Sequence, residues 1–278
     1  MNIANPFAEL AASISPSVMA WYVVLMVLLV IGGTILDMMH KKSAKYFFEN
    51  AKRQKARAVR ELDSGEKMSL ALKTLGYEVL TSGEFKNPKR RMSHLMTMYG
   101  FILFVVSTAV MIFGYADSAD AGIWPLLWYL GAISLALGGL WFWFFIRVDV
   151  FSEGLPWYQV GRDDIFIVTL ITTSVFGLLW AFTQGSTLGW VLFALFILSS
   201  TTLFGTVLWS KFAHMFFKPA AAYNKRIIWA DGSRENLPDV PDLTDPQVQE
   251  KFPDIPTYMG KKPPYMGLGI KRETPNHY

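Results

Sequence analysis

Four histidines are the residues of this chain best suited to hold a metal or to move protons near neutral pH, and three of them border long apolar runs. His40 follows the first run, His94 precedes the second and His214 follows the last, while His277 stands at the C-terminal end. Neutral imidazole is an axial ligand of haem iron, and a b-type haem takes two such ligands without needing cysteine. The chain has no cysteine, so it cannot itself supply thiolates to an iron–sulfur cluster, a disulfide or a c-type haem. A pair drawn from His40, His94 and His214 could clamp one haem, with Arg90, Arg91, Arg147 and Lys211 close in sequence as partners for its propionates. The plainer reading is that these histidines face lipid headgroups beside Lys-Lys and Arg-Arg pairs.

A second polar concentration lies in FIRVDVFSEGLPWYQVGRDD, residues 145–164. Quinone reduction needs protons from the adjoining water, an aromatic-lined apolar slot and polar groups for the carbonyls. Asp149, Glu153 or a histidine could relay protons here, and Trp157 and Tyr158 could line the slot. A charged turn with an interfacial Trp-Tyr pair explains the same residues without chemistry.

Both groups of residues depend on what positions them. Half of the chain is apolar (52%), and charge comes in blocks between runs of about 20 residues, the length that crosses roughly 30 Å of hydrocarbon as helix. Five spans are predicted: Val18 to Leu36, Leu95 to Tyr115, Ile123 to Ile146, Ile165 to Phe182, and Leu188 to Trp209 with a helical extension toward Phe217. The spans are expected to carry no charge, their polar groups being Ser, Thr and Gly, as in ILSSTTLFGT. That argues against an ion pump or proton-coupled carrier.

All 26 lysines and arginines fall after the first span, between the third and fourth, or after the fifth. The opposite loops, ADSADAG and TQGSTLG, have Asp117 and Asp120 as their only charges. The fold class expected is therefore an all-α integral membrane protein with five transmembrane helices, the N-terminus periplasmic and the C-terminus cytoplasmic. Residues 1–17 form the periplasmic N-terminus, without the basic start of a cleaved signal. Residues 18–217 form the membrane domain, including a basic cytoplasmic loop at 41–93, and residues 218–278 form a Pro-rich cytoplasmic tail. The location implied is the inner membrane of a bacterium.

The loop at 41–93 holds 14 basic residues on stretches with helical apolar spacing, suited to anionic lipid headgroups, to a soluble partner, or to both. No nucleic-acid module is recognisable in it. From Tyr223 onward the sequence is rich in Pro, Asp, Lys and Gly, and extended chain is expected that either stays disordered or lies along a partner, the second using Phe252, Tyr258, Tyr265 and Met266 as anchors.

Two blocks carry a family resemblance. NPKRRMSHLMTMYGFILFV places histidine after a basic stretch at the start of a span, and LWSKFAHMFFKPAAAYNKRI places histidine at the end of one, followed by Lys-Pro. Across roughly residues 18–230 the chain resembles the five-helix cytochrome b-like membrane subunits of the respiratory nitrate reductase gamma type. Similar too are the membrane domains of quinone-interacting and heterodisulfide-reductase-like complexes. Within that class its layout looks most like the membrane anchors of dissimilatory adenylylsulfate reductase.

The resemblance implies haem ligands on the second and fifth helices, here His94 and His214, with His40 as a spare or quinone-side residue. It implies at most one haem b, because neither helix has the second histidine of the two-haem pattern. It further implies cytoplasmic adenylylsulfate reductase-like flavin and iron–sulfur subunits as partners, and quinone as electron acceptor. Sulfur chemistry would belong to those partners, and this subunit would dock them, relay electrons and admit quinone. One haem at the cytoplasmic border would require quinone in the same half of the membrane. The competing readings are a cofactor-free anchor for a soluble reductase and a small-anion transporter.

Overall fold

The computed structural model describes residues 4–41, 43–150, 153–234 and 245–251, and the regular elements among them are all helical. Five helices are long and apolar enough to cross a membrane: α2 (Pro16–Lys41), α5 (Pro88–Gly114), α6 (Trp124–Trp141), α7 (Ile165–Phe182) and α8 (Thr187–Gly205). The chain is a multi-pass all-α membrane protein. Short or polar helices complete it: α1 (Pro6–Leu10), α3 (Ser43–Arg57), α4 (Ser64–Lys73), α9 (His214–Ala230) and α10 (Pro246–Lys251). The tail anchors Phe252, Tyr258, Tyr265 and Met266 lie outside the described residues, as does His277.

Consecutive helices α5 through α8 pack as neighbours, and α2 lies at the edge against α8 and α5. The α5–α6 contact is the closest because small residues face it. A Cβ on Gly100 would stand 2.5 Å from the Leu135 nitrogen, and one on Gly131 2.6 Å from the Phe104 nitrogen. Without water to satisfy polar groups, hydroxyls bond across the seam. Ser93 donates to the Gly138 carbonyl at 2.9 Å and Ser134 to the Met96 carbonyl at 2.9 Å. Trp128 Nε1 donates to Thr108 Oγ1 at 2.9 Å.

The two ends of this bundle differ. At the end without Lys or Arg, the N-terminal segment folds back as a plug. Asn5 caps α1, donates to the carbonyls of Tyr115 and Ser118 at 2.8 and 3.1 Å, and leaves Phe7 buried between Trp128 and Trp180. At the basic end, α3, α4 and α9 form a helical platform. Asp63 caps α4 with a reciprocal Glu66 bond, the Asp-x-x-Glu pattern of a capping box. Helix α4 continues as a π-helical stretch, Thr74–Leu80, that lies against α9.

Three expectations change. Helix α2 continues past Leu36 to Lys41, because nothing in DMMHK breaks a helix, and this brings a charge into the span. Asp37 sits there at 2% exposure, one turn beyond Gly33, where α2 meets Val207. The fifth span does not extend to Phe217 as one helix: α8 ends at Gly205, a turn and a 3-10 segment (Lys211–Ala213) intervene, and α9 starts afresh at His214. Nor is the chain extended from Tyr223, since α9 runs on to Ala230, burying Ile228 in the platform.

Candidate functional site

The basic end holds a turn that ties three elements together. Residues 80–82 span the end of the π-helical stretch, and each bonds to α5. Tyr99 Oη donates to the Leu80 carbonyl at 2.7 Å, Arg91 Nε donates to the Thr81 carbonyl at 2.7 Å, and Ser82 Oγ shares a 2.9 Å hydrogen bond with His94 Nδ1. The His94 ring also packs on Phe85, with centroids 4.9 Å apart. Arg90 and Lys218 lie over the same Phe85 ring at 5.5 and 5.2 Å, and Lys218 pairs with Glu84 at 2.9 Å. The turn thereby joins the start of α5 to α9, with a partly buried imidazole between them.

The connection from α6 to α7 is held differently. A π-helical turn, Phe142–Ile146, ends α6 and delivers Arg147 into the protein at 1% exposure. Every guanidinium donor is engaged. Nε and Nη2 meet Asp164 at 3.3 and 2.7 Å, Nη1 reaches the Leu155 and Pro156 carbonyls at 3.5 and 2.6 Å, and Nη2 also donates to the Gln159 carbonyl. The plane lies 4.3 Å from the Trp143 ring centroid. This is the fork geometry that makes Arg suited to a buried carboxylate. It leaves Arg147 no hydrogen for a propionate.

The other expected site residues scatter around these two centres. Glu153 pairs with Arg90 at 3.3 Å, which carries the α6–α7 connection to the His94 turn. Trp157 lies 6.3 Å from Phe144 and 5.8 Å from Tyr158, a ladder of exposed rings on the outside of the same connection. The Asp149 carbonyl accepts from the Glu153 and Gly154 amides and so shapes the turn. Lys211 stands 3.7 Å from Asp163, with both side chains exposed. His40 is exposed at the end of α2, and the side chain of His214 lies outside the described residues.

A haem can be tested against these residues. His94 suits one axial ligand, because a ligating imidazole is ordinarily oriented by a hydrogen bond at its other nitrogen, and Ser82 makes such a bond. The described side chains do not pair it with a second imidazole. Among the described residues, no group of three or more His, Cys, Asp or Glu converges in a way that could hold a metal ion.

Several residues that build this end were not legible in sequence. Ser82 and Phe85 belong to no motif, and only the fold brings them to His94. The platform rests on Asp231, whose carboxylate accepts from Gln54 at 2.8 Å and whose carbonyl accepts from the Val59 and Arg60 amides. Burial would raise the Asp231 carboxyl, but donors from Gln54 and Ser233 and the Arg60 charge outweigh it and hold it below the usual carboxylate range. Arg226 pairs with Glu78 at 2.9 Å between α9 and the π-helical stretch. Comparison with protein-family models, with characterised proteins and with solved structures finds no match to this chain.

Proposed function

We propose that this chain is the membrane anchor of a soluble oxidoreductase that docks on its basic end, and that His94 lies on the route by which electrons or protons pass between that enzyme and quinone. The reading takes the basic end as cytoplasmic and the membrane as the inner membrane of a bacterium, following the one-sided lysines and arginines. The observation that carries it is the α3–α4–α9 platform. It is joined internally through Gln54, Asp231, Glu78 and Arg226, yet leaves Lys52, Arg53, Lys55, Lys67 and Lys225 exposed. A fixed basic surface of this kind favours an acidic protein face and speeds its approach.

In this reading the partner is a flavin and iron–sulfur enzyme of the adenylylsulfate reductase type, as the sequence resemblance suggests. A bound haem b would supply one-electron transfer, with His94 as one ligand. The exposed rings of Phe144, Trp157 and Tyr158 offer an apolar approach for quinone beside Glu153 and Asp149. A second reading, an anchor without haem, is favoured by the full engagement of Arg147 with Asp164 and backbone carbonyls.

Co-purification from native membranes tests the proposal. A soluble oxidoreductase should accompany the intact chain and be lost when Lys52, Arg53 and Lys55 are changed together to Glu. Retention of the same enzyme by that variant, or absence of any such enzyme, sinks the anchor reading. A reduced b-type absorbance that disappears in His94→Ala separates the haem form from the haem-free one.

A further inference from the structure

Helix α4 turns three large apolar side chains outward. Met68, Leu72 and Leu75 recur at the i, i+4, i+7 spacing of one helical face, and they are 61%, 61% and 49% exposed. Another face of the same segment does the packing: Leu70 is partly buried, Thr74 is buried, and the helix lies against α9. Single exposed leucines or methionines are ordinary on a protein surface, but a row of them along one face marks a surface that something covers.

The end of the row points to the cover. The π-helical stretch that continues α4 ends at Leu80, also exposed, and the Leu80 carbonyl accepts from Tyr99 Oη of α5 at 2.7 Å. Tyr99 belongs to a second exposed row, with Met92, Ile102, Val106 and Phe113, and on a membrane-crossing helix such a row meets acyl chains. Tyr99 stands four residues inside the apolar run that opens at Leu95. Side chains of a helix tilt toward its N-terminus, so the Tyr99 hydroxyl meets Leu80 near the level where headgroups give way to hydrocarbon. Arg91 Nε holds the next residue there, donating to the Thr81 carbonyl at 2.7 Å. The row on α4 thus leads into the lipid-facing row of α5. Lys67 and Lys73 are exposed on either side of it, with stems long enough to lie along acyl chains while the ammonium reaches a phosphate.

We infer that α4 and the π-helical stretch lie flat in the membrane border at the basic end, with Met68, Leu72 and Leu75 among the acyl chains of that leaflet and Lys67 and Lys73 at its phosphates. The occupant of the row is phospholipid of the bilayer that the five spans cross. An amphipathic helix with a basic flank binds such a border by apolar burial and charge together. Lys52, Arg53 and Lys55 on α3 remain for a soluble partner, and the lipid contact does not require one.

The chain has no cysteine, so single nitroxide labels can be placed without removing native residues. Met68→Cys, Leu72→Cys and Leu75→Cys, each labelled in the full chain and held one copy per phospholipid nanodisc, would be compared with Ile102→Cys on the lipid-facing row and Lys55→Cys on α3. Each label replaces an exposed side chain, so the fold is kept. Oxygen concentrates among acyl chains, whereas a nickel chelate stays in water, and paramagnetic resonance reads the collisions of each label with both. The three α4 labels should meet oxygen several-fold more than nickel, as Ile102→Cys does, with the preference reversed at Lys55→Cys. Nickel access like that of Lys55→Cys puts the row in water, open to a soluble partner, and overturns the inference. Low access to both reagents means that protein covers the row, and overturns it as well. No partner enzyme or haem enters the measurement, so the anchor reading stands or falls separately.

Discussion

The two ends of the bundle close by different physics. The end without Lys or Arg is sealed mainly by shape, with Phe7 set against Trp128 and Trp180 and Trp180 stacked on Phe196 at 5.8 Å, and Asn5 adds neutral hydrogen bonds to the Tyr115 and Ser118 carbonyls. The basic end is tied by directional bonds: Arg147 to Asp164, Ser82 to His94, Gln54 to Asp231, Arg226 to Glu78. Apolar burial excludes water but is non-directional, whereas a charge-assisted bond fixes a side chain in one orientation. A protein that must present groups to a partner needs the second kind where the partner sits. Under the proposed anchoring function, the end tied by directional bonds is the one that would meet the partner.

The largest expected effect falls on the ionic closure. Arg147→Ala should strip Asp164 of its partner and leave the Pro156 and Gln159 carbonyls without their donor, a loss of roughly 3–5 kcal/mol. Thermal melting of the purified protein would register it, and the paired change Arg147→Met with Asp164→Leu should restore part of it. If the single change is mild, the α6–α7 connection is not held by this pair and the contrast between the ends weakens. Phe7→Ala should cost somewhat less, about 3 kcal/mol, by opening a cavity among Trp128, Trp180 and their neighbours. Its effect should be confined to the end without Lys or Arg, so hydrogen exchange in the α3–α4–α9 platform should stay unchanged.

A smaller effect is expected with pH. The Asp231 carboxyl has a lowered folded pKa, so in the unfolded chain it takes up its proton first, near its ordinary value of about 3.9. Its stabilising contribution is therefore complete above that pH and is lost as pH falls through the lower folded value. Protection against hydrogen exchange at the Val59 and Arg60 amides, which bond the Asp231 carbonyl, taken relative to the intrinsic rate at each pH, should fall over that acidic window in the wild type and much less steeply in Asp231→Asn. Equal slopes in both proteins would remove Asp231 from the account. The smallest effect belongs to Asp163→Asn. That side chain is 76% exposed and stands 3.7 Å from an exposed Lys211, so less than about 0.5 kcal/mol should be lost. Asp163 and Asp164 are adjacent, and burial alone separates their expected weights.

Much of the bundle was legible because its signal is local. Runs near 20 apolar residues marked the five long helices, although α5 begins at Pro88, seven residues ahead of the expected start at Leu95. Polar closure was less legible. Arg147, Asp149, Glu153 and Asp164 form one dense polar stretch in sequence, and nothing in their spacing tells which are buried. The π-helical turn at Phe142–Ile146 decides it, by rotating Arg147 inward toward Asp164. Likewise residues 1–17 read only as a periplasmic segment ahead of the first span, and the burial of Phe7 depends on Trp128 and Trp180 from α6 and α7.

The sequence by itself determined that the chain crosses a membrane, which segments do so, and on which end every lysine and arginine gathers. Hydrocarbon imposes helix on any long apolar run, and charge cannot be hidden there cheaply, so both signals survive without knowledge of neighbours. Tertiary structure alone decided that Asp37 is buried within α2, that Arg147 belongs to Asp164, and that Ser82 meets His94. Those outcomes depend on the packing of segments distant in the chain, where a turn of helix more or less changes which face a side chain occupies.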